Sequence, residues 1–224
     1  MAAAVRVTPA GTAEGPLALV AAGDFGHRVM RLLAQAFPGS REVAAADLPA
    51  AFSQEVTAIV VAVPRPAWAL CERADELAYR HRKPWLPVVM EHPALRVGPL
   101  VRPPSGPCFA CYRARRRQHD TERAASAVLE AAYDADASLT PYGYLPHHAR
   151  LAAAVATRFL TRRETGRVFA IDVLSSHSGT HQVISCHDCD REQRSAGPSA
   201  ALDLAAITAK VASVRDIADA VGTA

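Results

Sequence analysis

Unbroken apolar runs alternate along the chain with stretches in which apolar residues recur every three or four positions. Leu17-Ala-Leu-Val-Ala-Ala22 is apolar throughout and reads as a buried strand. It leads through Gly23-Asp-Phe-Gly26 into residues 27–37, where Val29, Met30, Leu33 and Phe37 share one helical face. Pro38-Gly39 stops that helix. Residues 56–63 form a second β-branched run, too continuous for a half-exposed strand and therefore a central parallel one. Pro64 and Pro66 end it, and residues 67–83 read as a helix with Trp68, Cys71, Leu77 and Ala78 turned inward. Strands follow at 84–90 and, shorter, at 96–101, and one more is expected around Val43. The alternation predicts an α/β fold, a parallel sheet flanked by helices.

The second half begins with a helix over residues 112–134, then a turn-rich stretch over 139–146. A helix over 147–163 carries Leu151, Val155, Phe159 and Leu160 at helical spacing, and Gly166 ends it. Residues 168–174 and 181–185 read as two strands joined by the turn 175–180. A polar linker over 191–199 precedes an amphipathic helix over 201–221, with Leu204, Ile207, Val211, Val214 and Ile217 on one side. The expected organisation is a lead-in over 1–15, one body over 16–190, and a linker with a terminal helix over 191–224.

Composition narrows the function classes. Half of the 224 residues are hydrophobic, enough for a sizeable core. A net charge of +3 is too small an excess to imply nucleic acid. No run of 18 apolar residues offers a membrane span, and the N-terminus lacks the charged-then-apolar order of a signal peptide. A cytoplasmic protein with reduced thiols is expected.

Those thiols carry the strongest chemical signal. Four of the five cysteines fall in two pairs, Cys108-Phe-Ala-Cys111 and Cys186-His-Asp-Cys189. Each CxxC pair aims two thiolates at one spot, and two pairs complete a tetrahedral shell for zinc. Residues 112–185 separate the pairs, so the metal would staple distant parts of one fold. Two disulfides suit a small secreted chain better than this one. A redox dithiol wants a CxxC opening a helix after a first strand. Four protein thiolates leave no open position for water, so the expected Zn2+ is structural. Cys71 stands apart, and a packed core thiol is its expected role.

Other candidates are weaker. Gly23 and Gly26 make a Rossmann-like turn, but a dinucleotide loop needs a third glycine, and Asp24 places negative charge where a phosphate would lie. Asp47 is the one acid placed to hold a ribose, and Arg28 and Arg31 could face phosphates. The degenerate loop argues against ATP. Arg113, Arg115, Arg116 and Arg117 read as a solvated helix face or as a site for an acidic partner. His147 and His148 are neighbours that diverge by about 100° on a helix, a poor arrangement for one metal.

The run Lys83-Pro-Trp-Leu-Pro-Val-Val, then Val97-Gly-Pro-Leu-Val, then Gly106-Pro-Cys-Phe-Ala-Cys-Tyr resembles the ThiF-like, ubiquitin-activating-type fold. More narrowly it resembles the divergent branch that accompanies YcaO enzymes in azole-containing peptide antibiotic biosynthesis. The family's Val-Gly-Pro-Leu and Gly-Pro-Cys-x-x-Cys match residues 97–111, and its second zinc pair matches Cys186 and Cys189. The resemblance implies a non-catalytic subunit, a homodimer, that assists a YcaO-type cyclodehydratase acting on a precursor peptide. Family members often carry an N-terminal winged-helix module for the leader peptide. About 15 residues precede the first strand here, so leader binding by this chain alone is not expected, and a separate recognition protein is one way to supply that module. The alternative implied by the fold is an ATP-dependent adenylyltransferase acting on a peptide or small acid.

Overall fold

Strand β1, Leu17–Ala21, is buried at every position, as its unbroken apolar run requires. It lies inside a seven-stranded sheet of order β2-β1-β3-β4-β5-β6-β7. The computed structural model describes residues 15–136, 138, 139, 143–187, 189 and 191. Most of the expected lead-in, and the linker and helix beyond residue 191, lie outside the described residues. The remaining strands are β2 (Arg41–Ala44), β3 (Ala58–Val63), β4 (Trp85–Glu91), β5 (Ala94–Val97), β6 (Arg167–Asp172) and β7 (Ser178–Gln182). The helices are α1 (Gly23–Ala36), α2 (Leu48–Ser53), α3 (Trp68–His81), α4 (Phe109–Gln118), α5 (Arg123–Ala135) and α6 (Pro146–Arg162).

Alternate side chains of the central strands feed two separate cores. Leu17, Leu19, Val60, Leu86 and Val88 pack with Phe25, Val29 and Leu33 of α1 and with Ala152, Ala156 and Phe159 of α6. Ala18, Val20, Ile59 and Val61 pack with Phe52 of α2, Trp68, Cys71 and Leu77 of α3, and Phe109 of α4. The result is three layers, with the sheet between two helical layers. The alanines Ala149, Ala152, Ala153 and Ala156 let α6 lie close against the sheet and α1.

The sheet departs from the expected all-parallel form. β2, β1, β3 and β4 are parallel, but β5, β6 and β7 each pair antiparallel to their predecessor. The cause is connection length. Only His92 and Pro93 lie between β4 and β5, whereas a parallel return needs a dozen residues or more. The expected strand at 96–101 is two features. β5 ends at Val97, and Leu100 and Val101 then make single bridges to Thr165 and Trp85. The expected helix over 112–134 is broken between Gln118 and Arg123, where the Asp120 carboxylate accepts the Glu122 N–H at 2.9 Å. The last expected strand, 181–185, is shifted: β7 stops at Gln182.

Gly26 shows how tightly the first turn is built. A Cβ at this residue would lie 2.3 Å from the carbonyl oxygen of Ala62 in β3, so α1 reaches the sheet only without a side chain there. Gly26→Ala should therefore lower the unfolding free energy by about 1–3 kcal/mol, the usual cost of overpacking. Urea unfolding should show a lower midpoint at unchanged slope. Cys71 supports a second expectation. Burial pushes its thiol up from 9.0 to about 12, with Asp134 and Glu72 adding repulsion. The folded state thus favours the neutral thiol. Its stabilisation is complete below pH 9 and is lost as pH rises toward 12, by about 1.4 kcal/mol per pH unit across that window. Cys71→Ala should flatten the alkaline limb of a stability–pH profile.

Candidate metal centre

Cys108 is the N-cap of α4, with extended backbone, and Cys111 lies in the first turn of that helix. This brings both thiols to one side of the helix start, where Cys108 Sγ and Cys111 Sγ are 3.6 Å apart. Cys189 arrives from beyond β7 and places its Sγ 3.6 Å from that of Cys108. All three sulfurs lie within 4.8 Å of one another and all three residues are buried. No cysteine is in a disulfide. The separations are far from the S–S bond length of about 2.05 Å. They are close to the roughly 3.8 Å edge of a thiolate tetrahedron built on Zn–S bonds of about 2.3 Å.

Cys186 joins the group by its backbone. Its N–H donates to Cys111 Sγ at 3.3 Å, and its carbonyl accepts the Cys189 N–H at 3.1 Å, closing the second turn. Its own half-buried thiol lies outside the cluster of three. Burial pushes the Cys108 thiol up; a hydrogen bond from the Cys111 backbone works against this, while the Cys111 and Cys189 thiols oppose ionisation. A protonated thiol is a poor nucleophile, and metal binding displaces its proton. The donor set therefore fits a soft, thiolate-preferring ion. The structure brings together three of the four expected ligands by their sulfurs and the fourth by its amide.

The other expected site residues sit elsewhere. Gly23 opens α1 with a φ of +62°, and Pro64 packs 2.8 Å from where its Cβ would be. Asp24 is exposed in the first turn of α1. Tyr144 covers this turn: its hydroxyl donates to the Asp24 carbonyl at 3.2 Å, and its ring meets Phe25 edge-on at 5.4 Å. Asp47 follows β2 at the start of α2 and is exposed, with no side-chain capping bond. His148 is buried, its Nδ1 accepts the Leu145 N–H at 3.2 Å, and burial lowers its pKa, so it serves the start of α6.

Three of the four arginines of α4 are engaged within the chain, while Arg117 is exposed and reaches Glu130 at 3.4 Å. Arg113 pairs with Glu72 and, at 3.1 Å, with Glu130. Arg116 pairs with Glu91, and both guanidinium groups lie just over 5 Å from the Trp68 ring. Arg115 donates to the carbonyls of Ile184 at 3.3 Å and Ser185 at 3.1 Å, immediately before Cys186. These side chains brace α4 against α3, α5 and the approach to the second cysteine pair. Asp75 of α3 and Arg191, which pair with one another, were not singled out from the sequence. The signal was available: Asp75 follows Cys71 and precedes Ala78 on the inward face of α3.

No protein-family model and no curated protein matches this sequence. Solved structures do match. A heterocyclase in complex with substrate and cofactor is 15% identical with a TM-score of 0.59, over 79% of this chain and 25% of that one. The heterocyclase TruD is 18% identical with a TM-score of 0.58, over 82% of this chain and 28% of that one. The microcin C7 biosynthetic enzyme MccB, in complex with N-formylated MccA, is 14% identical with a TM-score of 0.58, over 81% of this chain and 68% of that one. This chain thus spans only about a quarter of the two heterocyclases. It shares with all three the α/β fold.

Proposed function

We propose that this chain is a non-catalytic ThiF-like subunit that supports and activates a YcaO-type cyclodehydratase, which installs azolines in a ribosomal precursor peptide. The observation that carries this reading is the buried thiol cluster drawn from two distant segments of a fold shared with heterocyclases. Cys108, Cys111, Cys186 and Cys189 are the proposed ligands of one structural Zn2+. The ion supplies a cross-link and no reactive position, since four thiolates close its shell. The chain's own residues do the rest. Arg115 holds the segment before Cys186, and Arg113 and Arg116 hold α4 to its neighbours. A homodimer that meets the cyclodehydratase and its peptide, through a separate recognition protein, completes the proposal.

A second reading, an ATP-dependent adenylyltransferase, is favoured by one observation. Gly23 and Gly26 still perform the turn and the close packing that a nucleotide loop requires. Against it stand the missing third glycine and Asp24, whose charge opposes a phosphate at the helix N-terminus. Tyr144 packs beside the same helix end, its hydroxyl donating to the Asp24 carbonyl.

Co-expression separates the two. Purified protein should carry about one zinc per chain by metal analysis, and Cys111→Ser should lose it and unfold at lower temperature. Precursor peptide incubated with the cyclodehydratase and ATP should lose one water per azoline by mass spectrometry at a useful rate only when this chain is added. ATP–pyrophosphate exchange by the chain alone, with peptide or a small acid, would instead establish the adenylyltransferase.

A further inference from the structure

Helix α3 carries a buried carboxylate where its inward face should be apolar. Asp75 is 1% exposed, and only it and His148 are buried polar or charged residues among those described. Burying a charge is costly unless it is paired and hydrogen-bonded. Asp75 meets that condition with three donors. Oδ1 accepts the Trp85 indole N–H at 3.1 Å and the Phe109 backbone N–H at 3.3 Å. Oδ2 accepts from the guanidinium of Arg191, which also lies 5.0 Å from the Tyr79 ring centroid.

The donors are placed where the thiols are. Phe109 follows Cys108 and is the first residue of α4. A helix start leaves its first N–H groups without intrahelical acceptors. Cys108 offers no side-chain cap, and α4 has no acid in its first turn, so the acceptor comes from α3. Arg191 lies two residues beyond Cys189. One carboxylate therefore grips both segments that bring thiols together, and Trp85 ties it to β4.

We propose that Asp75 is a positioning residue of the metal centre: by holding Phe109 and Arg191 together, it presents the two cysteine turns as a preformed site and so sets the metal affinity. This rests on the zinc reading above. The physical basis is preorganisation. Without the clamp, metal binding must itself bring Cys186 and Cys189 to Cys108 and Cys111, and affinity falls by that amount. Groups that orient metal ligands from outside typically change affinity 10- to 100-fold when removed.

The test is zinc affinity by competition with a chelating dye, together with the thiolate-to-metal charge-transfer absorbance of the cobalt-loaded protein. Asp75→Asn keeps an oxygen for Trp85 and Phe109 but removes the charge that holds Arg191. Arg191→Gln removes the other half of the pair. Each should bind zinc about 10- to 100-fold more weakly with reduced charge-transfer intensity. The double variant should be no weaker than the worse single, because both act through one contact. Phe159→Leu, in the opposite core layer, controls for general destabilisation and should bind as the unmodified chain does. If Asp75→Asn fails to fold, Arg191→Gln alone decides. Zinc bound equally tightly by all variants, with unchanged cobalt spectra, overturns the role of Asp75 and leaves the zinc reading intact. An unmodified chain that binds no zinc refutes that reading and this inference with it.

Discussion

Three buried sulfur atoms within 4.8 Å of one another, two from the start of α4 and one from beyond β7, are the constraint on which the far end of the sheet depends. β7 is the outermost strand, and four of its five residues are exposed. A strand with one partner and little apolar burial contributes little by itself. The chain beyond it is held instead from the helical layer. Val183 bonds back to Gly166, but Ile184 and Ser185 are held by Arg115, Cys186 by Cys111, and Arg191 by Asp75. Every one of those last contacts points at α4 or at α3, which α4 packs on. The second cysteine turn is thus anchored sideways, to the elements carrying the first.

What was legible in the sequence follows from which physical signals are local. The buried strands β1 and β3 and the helices α1, α3 and α6 were plain, because burial on one or both faces leaves a period in the chain. The direction of β5 was not, although the cue lay in a connection of two residues, and counting it would have forced a hairpin. The break between α4 and α5 was hidden in a polar run with no apolar period, where the Asp120 carboxylate accepts the Glu122 N–H and turns the chain. α2 was missed despite Leu48, Ala51 and Phe52 at helical spacing behind Pro49, since six residues give too short a pattern to stand out.

The candidate site divides in the same way. A CxxC pair declares itself because both ligands lie on one turn, and the structure brings Cys108 and Cys111 together with Cys189. The arginines of α4 could not be read correctly from one helix. Whether a basic run faces solvent, a partner or the chain's own acids depends on residues far away in sequence. Here Glu72, Glu91 and Glu130 supply the counter-charges. The sequence shows the cations and the acids, but only the fold pairs them.

The first turn shows how packing by itself can fix a glycine pattern. Gly26 is fixed by the carbonyl of Ala62, and Gly23 by its positive φ and by Pro64. Both constraints belong to packing a helix against a parallel sheet, and neither involves a ligand. The glycines therefore say that the turn is tight, while the charge around it says what can bind there. Anion binding needs the helix N-terminus left electropositive and open. In this chain Asp24 complements the positive helix end from its own first turn, and the Tyr144 ring packs edge-on against Phe25 beside it. Packing alone accounts for both glycines of this turn, and the buried thiol cluster on the opposite helical layer is the site with the stronger physical case.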